Sequence, residues 1–276
     1  MTDVTTTKKP GSGGLRAQLF GKDANLVQIL LEGRAFFALI AIILIFSVLS
    51  PNYATVSNFL IMANHVAIFG LLSIGMMLVI LTGGIDLSVG SVIALLGVLF
   101  VEMVGRYGVP WPAAVAITIA LGAMIGLAHG ILITRFKMQP FVVTLCGLLI
   151  YRGVARGYTA EATAGFPFGA SYPQLEWLTI GRSYGIPHSF IAMLIIAAVM
   201  WFVLHQSVFG RHLYAVGKND EAARFSGIRS GFVITSAYVI CSVLAAVAAI
   251  YFAMFTKSVQ PSSHGNFYEL YAIAAA

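Results

Sequence analysis

Long apolar runs separated by short polar segments dominate this chain. A helix needs about twenty apolar residues to cross the hydrocarbon core of a membrane. The pattern therefore predicts an all-α fold, a polytopic transmembrane helical bundle with about seven to eight spans. The short apolar stretch Val56–Met62 cannot span, and we expect it to form a half-helix. The predicted spans are Ala35–Leu49, Val66–Thr82, Val89–Val104, Trp111–Thr134, Pro140–Tyr151, Phe190–Leu204 and Phe232–Phe255.

Composition excludes a water-soluble fold. Hydrophobic residues make up 59% of the 276 residues and charged residues only 9%, whereas soluble domains carry about 25% charged residues. The formal net charge is +6, but the Lys and Arg residues are dispersed between apolar runs. That dispersion is typical of loops that set membrane topology, and it argues against a nucleic-acid partner. Membrane lipid is the predicted surrounding.

The N-terminal tail, residues 1–33, is predicted to be cytoplasmic. Its first fourteen residues are polar, without the apolar core of a signal peptide. Residues 15–31 are mildly amphipathic, and we expect them to lie along the membrane surface as a helix. The transmembrane domain then covers residues 34–276. Cytoplasmic loops are enriched in Lys and Arg, and three such residues precede the first span: Arg16, Lys22 and Arg34.

Charge alternates along the remaining loops. Residues 52–65 contain no Lys or Arg and are predicted to lie outside, while Arg135 and Lys137 fall inside. The long segment 152–187 is then an external loop, and residues 206–231 form a cytoplasmic loop. This alternation predicts a multi-pass membrane protein with its N-terminus in the cytoplasm.

The C-terminal stretch Tyr268–Ala276 resembles the first turns of another apolar helix. A helix that stops there could not cross a bilayer. We therefore expect a truncated or partial chain.

The segment TGGIDLSVGS, residues 82–91, places a carboxylate among apolar runs. Gly83 and Gly84 allow close backbone approach or a break in a helix. Two interpretations of Asp86 stay open. It lies in the translocation path or its gate, together with Gly83, Gly84 and Ser88, because intramembrane carboxylates are usually functional or paired. Alternatively, it caps the helix that begins near Ser88.

His129 is a lone histidine inside an apolar run. It could contact a neighbouring helix or line the translocation path, and the interhelical contact is the simpler interpretation. No second ligand is spaced for a metal, and we predict neither a metal nor a cofactor. Arg152 closes another apolar run and is interpreted as an interfacial anchor.

The polar segment 210–228, GRHLYAVGKNDEAARFSGI, stands out between two apolar runs. Asn219 or Asp220 could cap a short helix at its N-terminus, and Gly227 could end it in a left-handed conformation. Such a helix would have about two turns and small residues in its middle, which let another protein approach closely. The candidate docking residues are Asp220, Glu221, Ala222, Ala223, Arg224 and Gly227.

Three enzyme signatures do not occur in the sequence: the Walker phosphate loop, the H-E-x-x-H zinc helix and the G-x-S-x-G elbow. The chain is therefore predicted not to be an enzyme. If it performs active transport, the energy comes from another subunit.

The stretch GKNDEAARFSGI resembles the cytoplasmic coupling loop of ABC importer permeases, and TGGIDLSVGS resembles a hallmark of their monosaccharide branch, the ribose, xylose and arabinose type. The resemblance runs from about Leu31 to Ala276. It implies that Glu221, Ala222, Ala223 and Gly227 face a cytoplasmic ABC ATPase. Members of the family commonly have Asn where this chain has His129.

The resemblance further implies a permease subunit of a bacterial inner membrane that moves a monosaccharide or related small polyol by alternating access. The implied partners are ATPase subunits, a second permease subunit and a periplasmic sugar-binding protein, which would meet residues 152–187 and 256–268. The alternative is an ion-coupled secondary transporter of a small solute, a class that relies on buried ionisable groups. The sequence names neither the sugar nor a homodimer over a heterodimer.

Overall fold

The structure is a computed structural model that describes residues 33–276. The predicted tail, residues 1–33, lies outside the described residues except for Gly33. Within them the all-α prediction is confirmed, with eleven helices and four two-residue strands. The helices are α1 (Arg34–Leu49), α2 (Val56–Leu81), α3 (Val89–Gly105), α4 (Trp111–Thr134), α5 (Pro140–Thr159), α6 (Pro173–Ile180), α7 (His188–Gln206), α8 (Val208–Lys218), α9 (Asp220–Phe225), α10 (Ser230–Thr256) and α11 (Tyr268–Ala275).

Five of these helices, α2, α4, α5, α7 and α10, are long and apolar enough to cross a membrane. Helices α1 and α3 are apolar but shorter, with 16 and 17 residues. Each of the seven predicted runs coincides with a helix, while the number of crossings stays a prediction.

The predicted half-helix Val56–Met62 is wrong, because α2 runs unbroken from Val56 to Leu81. The expectation rested on the short apolar stretch alone, and the helix continues through the polar residue Asn64. It is buried, and its amide donates to the carbonyl of Leu60 at 3.0 Å while accepting from the Ser189 hydroxyl at 2.7 Å. A polar side chain with both partners satisfied fits inside a helix without breaking it.

The chain forms two compact units, which meet in sequence at Phe59. Before that residue lie α1 and the first turn of α2, where the rings of Phe46 and Tyr53 pack with centroids 5.9 Å apart. The larger unit, Leu60–Ala276, holds the buried core.

In the larger unit, α10 packs along α4 and α3. Glycines of α4 spaced four residues apart make this contact close: a Cβ on Gly126 would lie 2.4 Å from the Tyr238 carbonyl oxygen, and one on Gly130 2.7 Å from Thr235 Cα. Small residues at this spacing let helix backbones meet in membranes, where there is no hydrophobic drive between helices.

The larger unit has two distinct ends. One end, which we name the Arg135 end, lies where α2 and α4 finish. There a Cβ on Gly217 of α8 would meet the carbonyl of Leu81, and the hydroxyl groups of Thr134 and Thr235 lie 3.4 Å apart. The opposite end, named the Trp111 end, joins α4 to α6 through a hydrogen bond from Trp111 to Gln174 of 3.3 Å.

The segment after Tyr151 is more ordered than a plain loop. Helix α5 continues to Thr159, so the first eight residues of the predicted external loop are helical. The rest contains α6 and the strands β1 (Ala164–Gly165), β2 (Arg182–Ser183) and β3 (Ile186–Pro187). Strand β2 pairs antiparallel with β3, and β1 with β4 (Ser258–Val259) after α10.

Candidate functional site

The turn between α2 and α3, residues 82–88, is held against three other helices. Gly83 has a left-handed φ of +80°, and a Cβ on Gly84 would lie 2.5 Å from the Tyr238 hydroxyl. The carbonyl of Ile85 accepts from Tyr238 of α10 at 3.2 Å and from Thr144 of α5 at 3.3 Å. Both glycines are therefore needed for the shape of the turn.

Asp86 is fully buried at this turn, and its two oxygens have different surroundings. Oδ1 accepts the backbone N–H of Ser88 at 2.8 Å and the Ser88 hydroxyl at 2.6 Å. These bonds form an Asx-turn just before α3, whose N-cap residue is Ser88 and not Asp86, so Asp86 shapes the turn without capping the helix as one interpretation expected. Oδ2 has no hydrogen-bond partner among the described residues and lies 3.9 Å from Nδ1 of His129.

His129 makes the predicted interhelical contact. Its Nε2 lies 2.9 Å from the hydroxyl of Tyr151 on α5, and its ring meets that of Tyr238 edge-on at 6.4 Å. The ring is almost fully buried, and its Nδ1 has no hydrogen-bond partner within residues 33–276. Three helices and one turn thus converge on a buried carboxylate and imidazole, which we name the Asp86 cluster: Asp86, Ser88, His129, Thr144, Tyr151 and Tyr238.

The predicted docking helix is present as α9, and the structure places its cap and its stop. Asn219, not Asp220, is the cap, with its side chain accepting the N–H of Ala222 at 2.9 Å. Gly227 has φ +84°, and the N–H groups of Gly227 and Ile228 bond to carbonyls within the helix at 2.9 and 3.0 Å. This is the usual glycine-terminated helix end.

The faces of α9 differ from the prediction at one residue. Ala223 is 4% exposed and packs in an apolar cluster with Leu78 and Val233, so its side chain cannot face a partner. Glu221, Ala222 and Gly227 are exposed. The correction follows from helix periodicity, because a two-turn helix lying on the bundle must bury one of its faces.

Sequence reasoning missed Phe225, whose side chain is 92% exposed at the end of α9. An isolated exposed aromatic is common, but here it adjoins an ion pair of 2.8 Å between Asp220 and Arg224 one turn apart. Exposed aromatics and arginines are the residues most often responsible for binding energy at protein interfaces. Phe225 follows directly after the EAAR stretch, and this position in the sequence could have identified it as a candidate docking residue.

The Trp111 end carries a second polar surface. Lys257, after α10, contacts Glu176 of α6 at 2.6 Å. Their hydrogen bond lowers the pKa of Glu176 below its ordinary value. An adjoining cleft of about 450 Å³ is lined by Trp111, Pro173, Gln174, Trp177 and Leu178. Indole rings at the end of apolar helices are typical of the membrane–water interface.

No group of three or more metal-binding side chains occurs within the described part of the chain.

Arg152 is not an interfacial anchor, because its guanidinium donates to the backbone carbonyl of Pro261 at 2.9 Å and to that of His264. The carbonyls that it binds belong to the irregular segment after β4.

Residues 58–276 match the protein family described as a branched-chain amino acid transport system / permease component. The "Ribose import permease protein RbsC" of Escherichia coli (strain K12) is 38% identical over 246 residues, which cover 89% of this chain and 76% of that protein. The "Fructose import permease protein FruF" of Bifidobacterium longum is 31% identical over 264 residues, 91% of this chain and 74% of its own length.

A third relative is the "Inner membrane ABC transporter permease protein YjfF" of Escherichia coli (strain K12), 32% identical over 209 residues, 75% of this chain and 63% of that protein. No solved structure matches the chain. These similarities favour an importer permease over an ion-coupled secondary transporter. The chain belongs to the family of membrane permease components of ABC import systems.

Proposed function

We propose that this chain carries a monosaccharide or a related small polyol across a bacterial inner membrane, as the permease subunit of an ABC importer. The proposal rests on the sugars named for its relatives, ribose and fructose among them. Separate ATPase subunits hydrolyse ATP in the cytoplasm, and two permease subunits enclose the path.

The observation that carries the mechanism is the capped helix α9 at the Arg135 end. Its exposed side presents Glu221, Arg224 and the aromatic ring of Phe225. A soluble protein surface could bind such a mixture of charge and apolar area, and an ATPase subunit is the partner that this family implies. The orientation that follows puts the Arg135 end in the cytoplasm, together with the N-terminal tail.

Movement of α9 would reach the membrane helices through its buried side. Ala223 packs in one apolar cluster with Leu78 of α2 and Val233 of α10. Gly217 of the adjoining α8 touches the last carbonyl of α2, just before the turn that holds Asp86. A displacement of α9 would therefore be passed to the Asp86 cluster. ATP binding would shift the permease toward the conformation, outward- or inward-facing, that the ATP-bound ATPase pair binds more tightly.

The Trp111 end is the surface proposed for the sugar-binding protein. Its elements are α6 and the paired strands β1 and β4. The ion pair between Glu176 and Lys257 connects α6 to the end of α10. A protein that binds at α6 would therefore also displace α10, the helix that contacts α9 at the other end. This placement gives each end of the bundle one soluble partner.

Charge reversal on α9 tests the docking proposal. We expect Glu221→Arg and, separately, Phe225→Ser to reduce ATP-driven uptake by about tenfold or more, which corresponds to a loss of about 1.4 kcal/mol in coupling. Uptake of D-ribose and D-fructose would be measured in reconstituted vesicles, alongside copurification of the ATPase with the permease.

Matched controls lie at the Trp111 end. Glu161 is exposed, and Phe168 is fully exposed on the same side of the bundle. Glu161→Arg and Phe168→Ser should leave ATPase copurification unchanged. If the α9 variants retained full uptake and copurification, α9 would not be the docking helix.

A further inference from the structure

The chain does not stay at the Trp111 end after α10 but turns back into the bundle. A Cβ on Gly97 of α3 would lie 3.2 Å from the Val259 side chain. Further along, a Cβ on Gly90 would lie 2.1 Å from the carbonyl oxygen of Gly265. Residues 258–265 therefore descend along α3 toward its N-terminus, which corrects the expectation that residues 256–268 form an external surface.

The depth of this descent follows from the helix rise. The ring of Tyr268 packs on that of Phe69 with centroids 4.7 Å apart. Phe69 precedes Leu81, at the Arg135 end of α2, by twelve residues, or about 18 Å at 1.5 Å per residue. Helix α10, with 27 residues, is about 40 Å long by the same measure. The segment thus reaches about the middle of the membrane-spanning helices.

Irregular backbone at this depth needs partners, since membrane interiors tolerate it only inside protein or beside water. Arg152 of α5 supplies them by donating to the carbonyls of Pro261 and His264. The N–H of Gln260 donates to the ring of His264 at 2.9 Å. An arginine is thereby committed to hold a non-helical segment at mid-depth.

Three side chains of residues 260–266 are neutral, polar and exposed. Gln260, Ser263 and Asn266 are all exposed. Ser263 donates to the Gln260 amide oxygen at 2.8 Å, and the Asn266 amide donates to the Ser262 carbonyl at 3.1 Å. Several groups stay available to bind another molecule: the hydroxyl lone pairs of Ser263, the amide N–H donors of Gln260 and the amide oxygen of Asn266. Nearby charges occur in opposite pairs, since Arg152 interacts electrostatically with Glu269 and the neighbouring Arg156 pairs with Glu161 at 2.7 Å.

We propose that residues 260–266 line the translocation path at mid-membrane and bind the passing solute through amide and hydroxyl groups. A neutral polyhydroxylated molecule is the chemical class that fits, because it exchanges hydrogen bonds with donors and acceptors alike and needs no counter-charge. The inference rests on the proposed sugar transport and assigns a contact surface within it.

Thiol accessibility tests this assignment. In a full-length permease whose native cysteines, Cys146 and Cys241, are replaced by Ala, Asn266→Cys would be treated with a charged methanethiosulfonate reagent. We expect it to react, since a thiol beside water forms the reactive thiolate, and we expect D-ribose or D-fructose to slow the reaction severalfold. Ser263→Cys, a one-atom change, provides the same test if Asn266→Cys does not insert.

Leu149→Cys is the matched control, because Leu149 is 65% exposed on α5 near the level of Arg152. Its thiol should face lipid and not react. If Asn266→Cys and Ser263→Cys reacted no faster than Leu149→Cys, or if neither sugar altered their reaction, the inference would be overturned. The unsubstituted permease is assayed in parallel, and its failure to take up either sugar with ATP would instead contradict the proposed transport of these sugars.

Discussion

The close contact between Gly90 of α3 and Gly265 allows a test of how residues 258–265 pack along α3. In Gly90→Ala the new Cβ would lie 2.1 Å from the Gly265 oxygen and 2.6 Å from Oε2 of Glu269. An ordinary carbon–oxygen contact is about 3.3 Å, so the two backbones must separate by roughly 1.2 Å. Overpacking of this kind costs about 1–3 kcal/mol, and the upper part of that range applies because a backbone carbonyl cannot rotate away.

Alanine also favours a helix over glycine by about 1 kcal/mol, which offsets part of that cost. We therefore expect Gly90→Ala to lose about 2 kcal/mol of stability, seen as a lower midpoint when the purified permease is heated in detergent and its monodisperse fraction is followed. Gly153→Ala is the control, because a Cβ there would meet nothing within 4 Å. Equal midpoints for the two variants would show that α3 and the segment are not in backbone contact.

Two further predictions concern the turn and the orientation. Asp86→Asn keeps an oxygen for the Ser88 donors but removes the carboxylate oxygen that lies 3.9 Å from Nδ1 of His129. We expect nearly unchanged stability and lower uptake per folded molecule. Lost stability with normal uptake would instead favour a purely structural role for Asp86. Ser226→Cys, just after α9, should react with an impermeant thiol reagent only from the cytoplasmic side, and labelling from outside would overturn the proposed orientation.

Much of the bundle could be predicted from hydropathy because each apolar run forms one helix. The run of α4 has the bounds Trp111 and Thr134 in both the sequence pattern and the structure. Errors arose where a polar residue finds its partner far along the chain. The apolar stretch Val56–Met62 was expected to end as a half-helix, but α2 continues through the buried Asn64, which accepts from Ser189, 125 residues away.

The site was predicted where its chemistry is local. The cap at Asn219 and the stop at Gly227 depend on residues within α9 and its immediate neighbours. The Asp86 cluster depends on Thr144 and Tyr238, which are ordinary residues of apolar runs until the fold places both on the carbonyl of Ile85. Arg152 was misinterpreted for the same reason, since its partners lie more than 100 residues later.

The glycines of α4 constrain how this protein can change shape. Gly126 and Gly130 bring α4 close to the backbone of α10, which leaves little room there for side chains to repack. Sliding between packed helices needs side chains that can exchange partners, so these two helices should behave as a single lever. A switch between outward- and inward-facing states must then hinge elsewhere in the chain, with the α4–α10 pair carrying any push from α9 across the membrane without bending.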